Sequence, residues 1–301
     1  MKKQPAIDAN FVEIDPANFV DEIDNPFFPL QPGTTFIYES QDGSEVVITT
    51  VTHDTKEILG VTCVVVEDTA FVDGQLAEKT LDYYAQDTAG NVWYFGEASK
   101  SFEDGHVSKE GSWLAGKHGA TPGIIMEASP QVGDHYSQEN APGIAEDQAT
   151  VDSLNASVKV PFGKFQHVLE TIETTPLEPE ALEHKFYAEG VGQVLTVDVN
   201  TGERVELVEI ISDNTESARM DTDTFNFEAL STGAKAAGLS HLADLTQRGD
   251  AIDLHSFGAS ISDQELAGGH NPHDNTEGQH TSEASHGLAS HLAPGSLDFD
   301  L

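Results

Sequence analysis

The chain has 301 residues, and 38% of them are apolar, which is enough for a buried hydrophobic core. Its 52 acidic residues outnumber the 14 basic ones, and the formal net charge of -38 repels phosphate backbones and anionic headgroups. This charge argues against nucleic acids and membrane surfaces as partners, and since no stretch approaches the roughly 18 apolar residues of a membrane helix, no membrane insertion is expected.

The N-terminal segment, residues 1–24, is polar and acidic and shows no sustained hydrophobic period. Such a composition predicts a loosely held acidic arm. The first residues, Met1 to Ala6, are not followed by the apolar segment of a cleavable signal peptide. We therefore expect no export through an N-terminal signal of that kind.

Residues 25–213 contain short apolar or alternating runs separated by turn residues, which is the pattern of an antiparallel sheet. We predict a mainly β domain, formed by a curved antiparallel sheet or a partly open β-barrel. Cys63 lies alone in an apolar run and is expected to pack as a small buried hydrophobic residue. The predicted strands are 34–39, 45–53, 57–68, 70–72, 76–86, 91–97, 149–160, 164–174, 182–188, 193–199 and 203–212.

The region between the two groups of strands, residues 98–147, is irregular and rich in Gly, Pro and His. Loops of this length in a compact domain are usually functional or contain short elements of their own. We therefore expect a binding site here rather than in the hairpins.

Three large apolar residues suggest a ligand pocket. Trp93 lies on a predicted strand, and Trp113 and Met126 lie in the irregular region. A curved sheet that faces a long loop forms a natural pocket for a lipid or another small apolar molecule. The alternative is that the three side chains simply pack in the core.

Three polar residues of the same domain could bind a metal ion or act as a general base. They are His135, Glu139 and His184. Glu183 and His184 are neighbours on a predicted strand and point to opposite faces, so they cannot form a catalytic pair by themselves. The alternative for His184 is a hydrogen bond to a neighbouring carbonyl. The sequence has no nucleophile elbow and no phosphate-binding loop, so we assign no catalytic residue.

Residues 214–301 are poor in aromatic residues and rich in Ser, Gly, Ala, Asp and His. This composition predicts a largely disordered acidic tail, with a possible short helix over 227–239. Five histidines could bind a transition metal, and the alternative is a hydrophilic tail that takes up metal weakly. They are His270, His273, His280, His286 and His291.

Three sequence blocks carry a resemblance to known proteins. They are NPFFPLQPGTT at 25–35, NVWYFGE at 91–97 and YAEGVGQV at 187–194. Over residues 25–212 the chain resembles a group of uncharacterised secreted bacterial β-sheet proteins, some of which are lipoproteins. The resemblance implies a curved antiparallel sheet and supplies no catalytic residue.

The C-terminal region carries a second resemblance. The segments LSHLADL at 239–245 and GDAIDL at 249–254 resemble the part that follows the calcium-binding repeats of type I secreted proteins, although the nonapeptide repeats themselves are missing. This resemblance implies an uncleaved C-terminal export signal and a type I exporter as a partner. It predicts an extracellular location, and the alternative is the cytoplasm.

From the sequence we predict an extracellular binding protein rather than an enzyme. The high negative charge favours Ca²⁺ or another divalent cation as the ligand, whereas the two tryptophans favour a small apolar molecule. One alternative is a secreted metal-dependent hydrolase that uses His135, Glu139 and His184. Another is a structural component of the cell surface.

Overall fold

The computed structural model describes residues 14–103 and 105–212. They form a short 3-10 helix, Pro16–Asn18, and sixteen strands. The strands are β1 Phe19–Val20, β2 Thr34–Ser40, β3 Glu45–Ile58, β4 Val61–Val72, β5 Gln75–Asp87, β6 Val92–Glu103, β7 His106–Ser108, β8 Trp113–Leu114, β9 Thr121–Met126, β10 His135–Ser137, β11 Glu139–Asn140, β12 Gln148–Lys159, β13 Lys164–Thr175, β14 Glu178–Ala188, β15 Gly192–Asp198 and β16 Arg204–Ser212.

One antiparallel sheet contains these strands and curls until its two ends meet. The strand order is β10-β12-β13-β14-β15-β16-β2-β3-β4-β5-β6-β9-β11. The strands at the two ends, β10 and β11, are separated along the chain by Gln138 alone. The sheet therefore has a barrel-like form, which confirms the predicted mainly β fold.

Two glycines allow the close approaches that this curvature requires. A Cβ atom on Gly123 of β9 would lie 2.1 Å from the carbonyl oxygen of Gln138, at the point where the sheet ends meet. A Cβ atom on Gly96 of β6 would lie 2.4 Å from the carbonyl oxygen of Trp113, and Gly96 has a φ of +129°. Any larger residue would displace backbone at either position.

The hairpins follow the predicted strands closely, but the strands predicted at 57–68 and 70–72 form the single strand β4. The turn Asp73-Gly74 connects β4 to β5 as expected, with φ values of 50° and 73°. The predicted strand over 57–68 is wrong at its start, because β3 continues to Ile58 and the chain turns at Leu59-Gly60. The positive φ of Gly60 permits this turn, and a bulge lets β3 continue through its polar end.

Part of the predicted N-terminal arm packs on the sheet. Strand β1 pairs with β5, and Ile23 is buried and forms a bridge with Leu30. The Phe19 ring contacts the Phe95 ring edge-on at 5.5 Å. The packed region therefore begins before residue 25, whereas the predicted tail at 214–301 lies outside the described residues.

The hydrophobic core fills the enclosed side of the sheet. Phe28 lies between strands on opposite sides of the barrel, because its ring is 5.5 Å from Tyr84 of β5 and 6.5 Å from Tyr187 of β14.

Cys63 is a free, buried thiol, and burial raises its pKa to about 12. None of the described residues belongs to a helix that is long and apolar enough to cross a membrane.

Candidate functional site

A shallow surface depression lies beside Trp113, and we call it the Trp113 depression. It is partly open to solvent, and its cavity volume is about 30 Å³. Its lining is mainly apolar, with polar or charged groups at the edge. The apolar lining residues are Trp113, Leu114, Ala120, Ala141, Pro142 and Ile144, and the others are Ser112, Lys117 and His118.

Two turns form the walls of the Trp113 depression. In the first, the backbone N–H of Gly116 donates to the carbonyl of Ala120, at 2.9 Å. In the second, the N–H of Ala141 donates to the carbonyl of Ala145, at 2.8 Å. These hydrogen bonds hold the two turns in fixed conformations, so the depression is preformed.

The charge around the Trp113 depression differs from that of the whole chain. The sixteen residues from Gly111 to Met126 include no Asp or Glu, whereas the chain contains 52 acidic residues. The same stretch supplies Lys117 and His118 at the edge. The first wall is therefore neutral to basic, whereas the second wall carries Glu146, whose Oε1 accepts a hydrogen bond from the Gly143 N–H at 2.7 Å.

The inner wall of the depression is fixed by a buried hydrogen bond. The indole nitrogen of Trp113 donates to Glu139 Oε1 at 2.7 Å, and both side chains are buried. The edge of the indole ring contacts the Tyr94 ring, with 5.3 Å between centroids. Trp113 therefore separates the depression from a polar region in the barrel interior.

That polar region contains two carboxyl groups on one phenol, and we call it the tyrosine cluster. The Tyr94 hydroxyl lies 2.7 Å from Asp82 Oδ1 and 3.1 Å from Glu97 Oε2. The Tyr84 ring stacks on the Tyr94 ring at 4.7 Å. Burial raises the pKa of Tyr94 well above its ordinary value, and Asp82 and Glu97 raise it further.

A second polar group of residues in the interior contains a cation, and we call it the lysine cluster. The Lys185 ammonium lies 2.9 Å from Glu173 Oε2 and 3.6 Å from Glu183 Oε2. The Tyr187 hydroxyl donates to Glu173 Oε1 at 3.2 Å. Burial raises the pKa of Glu173, but the charge of Lys185 and the hydrogen bonds from Lys185, Thr171 and Gln138 together outweigh burial and leave this pKa below its ordinary value.

The structure places the residues of the predicted pocket in different environments. Trp113 lines the depression, whereas the indole of Trp93 donates to Asp87 Oδ2 at 2.8 Å and contacts Phe19. Met126 is fully buried in the core. Trp93 and Tyr94 are neighbours on β6 and point to opposite faces, so the two tryptophans lie on different faces of the sheet.

Each residue of the predicted metal site has a different partner. His135 Nδ1 lies 2.9 Å from Thr150 Oγ1, and Glu139 accepts the hydrogen bond from Trp113. His184 Nδ1 lies 2.7 Å from Glu170 Oε1. Within the described ranges, no three or more His, Cys, Asp or Glu residues are arranged to hold a metal ion. The five histidines of the predicted tail site lie outside those ranges.

Sequence reasoning did not identify the walls of the depression or the interior clusters. Ala120, Ala141 and Ile144 carry no motif that marks them as a group. The tyrosine cluster did leave a signal, because Asp82 lies between the apolar Leu81 and Tyr83 in a strand whose second half is mostly buried. Polar residues on the buried face of a strand indicate an interior polar network.

Two solved structures are similar to this chain. A candidate exported protein with a YmcC-like fold from Bacteroides fragilis is 17% identical, with 62% of this chain and 99% of that chain covered and a TM-score of 0.37. A candidate lipoprotein from Parabacteroides distasonis is 14% identical, with 62% and 98% covered and a TM-score of 0.38. Neither a protein-family model nor a curated protein matches the sequence. TM-scores this low assign neither a fold nor a function to the chain.

Proposed function

We propose that this chain is an extracellular binding protein that takes a small apolar molecule, or the apolar end of a larger one, into the Trp113 depression. The observation that carries the proposal is the mainly apolar lining of the depression, which two hydrogen-bonded turns hold in place. Apolar walls with a few polar groups at the edge are typical of small-molecule sites. The shallow shape favours a ring or a short alkyl chain over a whole lipid.

The edge of the depression can be changed with little effect on the fold. Ile144 is 43% exposed at the edge, and Leu177 is equally exposed in the turn between β13 and β14. Replacing Ile144 by Ser removes apolar contact area from the depression, whereas Leu177→Ser removes a similar area elsewhere. The two variants are therefore a matched pair.

The test is a titration with 1-hexanol, followed by the fluorescence of Trp113 in a Trp93→Phe background that leaves a single tryptophan. We expect a saturable change in emission and an affinity about fivefold weaker for Ile144→Ser, because the lost contact is worth about 1 kcal/mol. Leu177→Ser should bind as the parent does. No saturable change, or an equal loss in both variants, would contradict the proposal.

We also propose that the chain reaches the outside through its C-terminal segment. The support is the resemblance of 239–245 and 249–254 to the ends of type I secreted proteins. Deletion of 240–301 should leave folded protein inside cells that carry a type I exporter, while the full chain accumulates in the medium. Equal amounts in the medium with and without this segment would contradict the export proposal.

A divalent cation remains a proposed second ligand, and its support is the net charge of -38 together with the five tail histidines. Calorimetric titration of the full chain with Ca²⁺ and Zn²⁺ tests it, with a variant that carries asparagine at all five positions as the control. We expect Zn²⁺ binding to weaken in the variant and Ca²⁺ binding to persist. The proposal would be wrong if the full chain bound neither Ca²⁺ nor Zn²⁺.

A further inference from the structure

In the tyrosine cluster, the number of hydrogens and the number of acceptors do not match if both carboxyl groups are ionised. A phenol carries one hydrogen and can donate it to one acceptor. The Tyr94 oxygen nevertheless lies within hydrogen-bond distance of two carboxyl oxygens, 2.7 Å from Asp82 and 3.1 Å from Glu97. If both carboxyls were ionised, one carboxylate oxygen would face a lone pair of the phenol without a hydrogen between them.

We infer that Asp82 and Glu97 together retain one proton in the folded protein at neutral pH and share it through the Tyr94 hydroxyl. One carboxyl accepts the hydrogen of the phenol. The other is a carboxylic acid and donates its own hydrogen to the phenol oxygen. Every oxygen pair in the chain of three groups then has a hydrogen between its members.

The burial of the cluster supports this assignment. Asp82 and Glu97 are each 1% exposed, and Tyr94 is fully buried. Burial in a medium of low polarity disfavours the charged form of a carboxyl group. Two ionised groups on one buried hydroxyl would add mutual repulsion, whereas a shared proton leaves a single negative charge over three groups.

A second hydroxyl lies in the same cluster. The Tyr84 hydroxyl is fully buried and makes no hydrogen bond in the structure, although its ring stacks on that of Tyr94 and its strand position faces the same side as Asp82. A buried donor without an acceptor is uncommon in folded proteins.

The groups that act electrostatically on the two stacked tyrosines include acids from further strands. Asp68 of β4, Tyr84 of β5 and Glu139 of β11 interact electrostatically with the stacked tyrosine rings. Thr49 of β3 donates a hydrogen bond to Asp68, and the Trp113 indole of β8 donates to Glu139. The negative charges of Asp68 and Glu139 oppose ionisation of the pair and favour the retained proton.

The retained proton gives the fold a defined response to pH. Unfolding releases this proton whenever the pH is above the ordinary carboxyl range of about 4. Stability from this source is therefore present at acidic pH and is lost as the pH rises. For one proton, the unfolding equilibrium constant increases tenfold per pH unit. The device lies directly behind Trp113, at the inner wall of the depression.

The test compares wild type with Glu97→Gln and Asp82→Asn by urea unfolding between about pH 5 and 8. An amide resembles a protonated carboxyl because it brings its own hydrogens, so each variant should keep the fold and lose the titration of the pair. In wild type this proton raises the unfolding equilibrium constant by up to tenfold per pH unit, and we expect one or both variants to lose that part of the pH dependence. The exposed Glu180→Gln should leave this slope unchanged. Unchanged slopes in both cluster variants would overturn the inference.

A second measurement covers the case in which the variants fail to fold. Infrared spectroscopy of the wild-type protein detects the carbonyl stretch of a buried carboxylic acid, which is separate from that of a carboxylate. We expect this band in native protein at neutral pH, with resistance to deuterium exchange, and we expect it to vanish on unfolding. Its absence from the native spectrum would overturn the inference.

Discussion

The lysine cluster and the tyrosine cluster are two buried polar regions of one barrel, and they balance their acids differently. Glu173 and Glu183 have the Lys185 ammonium between them, at 2.9 and 3.6 Å. Asp82 and Glu97 have the Tyr94 phenol between them, at 2.7 and 3.1 Å. In the first cluster a cation offsets the negative charge, whereas in the second we infer a retained proton.

This difference predicts that the contributions of Glu173 and of the tyrosine cluster to stability change with pH in opposite directions. Lys185 holds the pKa of Glu173 below its ordinary value despite burial, so the contribution of Glu173 to stability is present above about pH 4 and is lost on acidification. The proton of the tyrosine cluster has the reverse effect, because it stabilises the fold at acidic pH and is lost as the pH rises. Glu173 and the tyrosine cluster therefore limit stability from opposite sides, whereas burial raises the pKa of Glu183, the second acid of the lysine cluster.

The largest effect is expected when the cation of the lysine cluster is removed. Lys185→Met leaves Glu173 and Glu183 buried without that cation, and breaking a buried pair in this way costs about 3–5 kcal/mol. Urea unfolding at pH 7 measures the loss. The matched control is the exposed Lys159→Met, which should change stability by less than about 0.5 kcal/mol. Equal effects of the two substitutions would show that Lys185 does not compensate these acids.

A smaller loss is expected when the phenol of the tyrosine cluster is removed. Tyr94→Phe takes away the group between Asp82 and Glu97 and should lower the free energy of unfolding by about 1–3 kcal/mol, the usual cost of a buried hydrogen-bonded group. The control is Tyr84→Phe, because this ring is equally buried and its hydroxyl makes no hydrogen bond. We expect the control to be neutral or slightly stabilising by urea unfolding. If Tyr84→Phe lowered the free energy of unfolding as much as Tyr94→Phe, the hydrogen bonds of the Tyr94 hydroxyl would not be the cause of the loss.

The sequence predicts the fold much better than the site. Alternation and turn residues place most strands to within a few residues, because each hairpin is specified by local contacts, as at Asp73-Gly74. The main exception, at Leu59-Gly60, arises because polar residues continue β3 beyond the expected turn.

The site depends instead on contacts between distant segments. Trp113 meets Glu139 across 26 residues, and Phe28 joins Tyr84 to Tyr187 across the barrel. The approach of Gln138 to Gly123, which completes the sheet, likewise has no local signature. Composition marks such residues as polar or aromatic, but their partners follow only from the closure of the sheet.

The smallest expected effect is a change in how stability depends on pH, and it distinguishes the two clusters. Glu173→Gln removes the acid whose pKa Lys185 lowers, so the loss of stability on acidification below about pH 4 should become shallower, by at most about 1.4 kcal/mol per pH unit for one proton. The alkaline side of the profile should not change, whereas Glu97→Gln should flatten the alkaline side and leave the acidic side as it is. Urea unfolding across the full pH range measures both sides for both variants. If both substitutions flatten the same side of the stability–pH profile, the two clusters balance their acids in the same way. The proposed difference, a cation in one cluster and a retained proton in the other, would then be wrong.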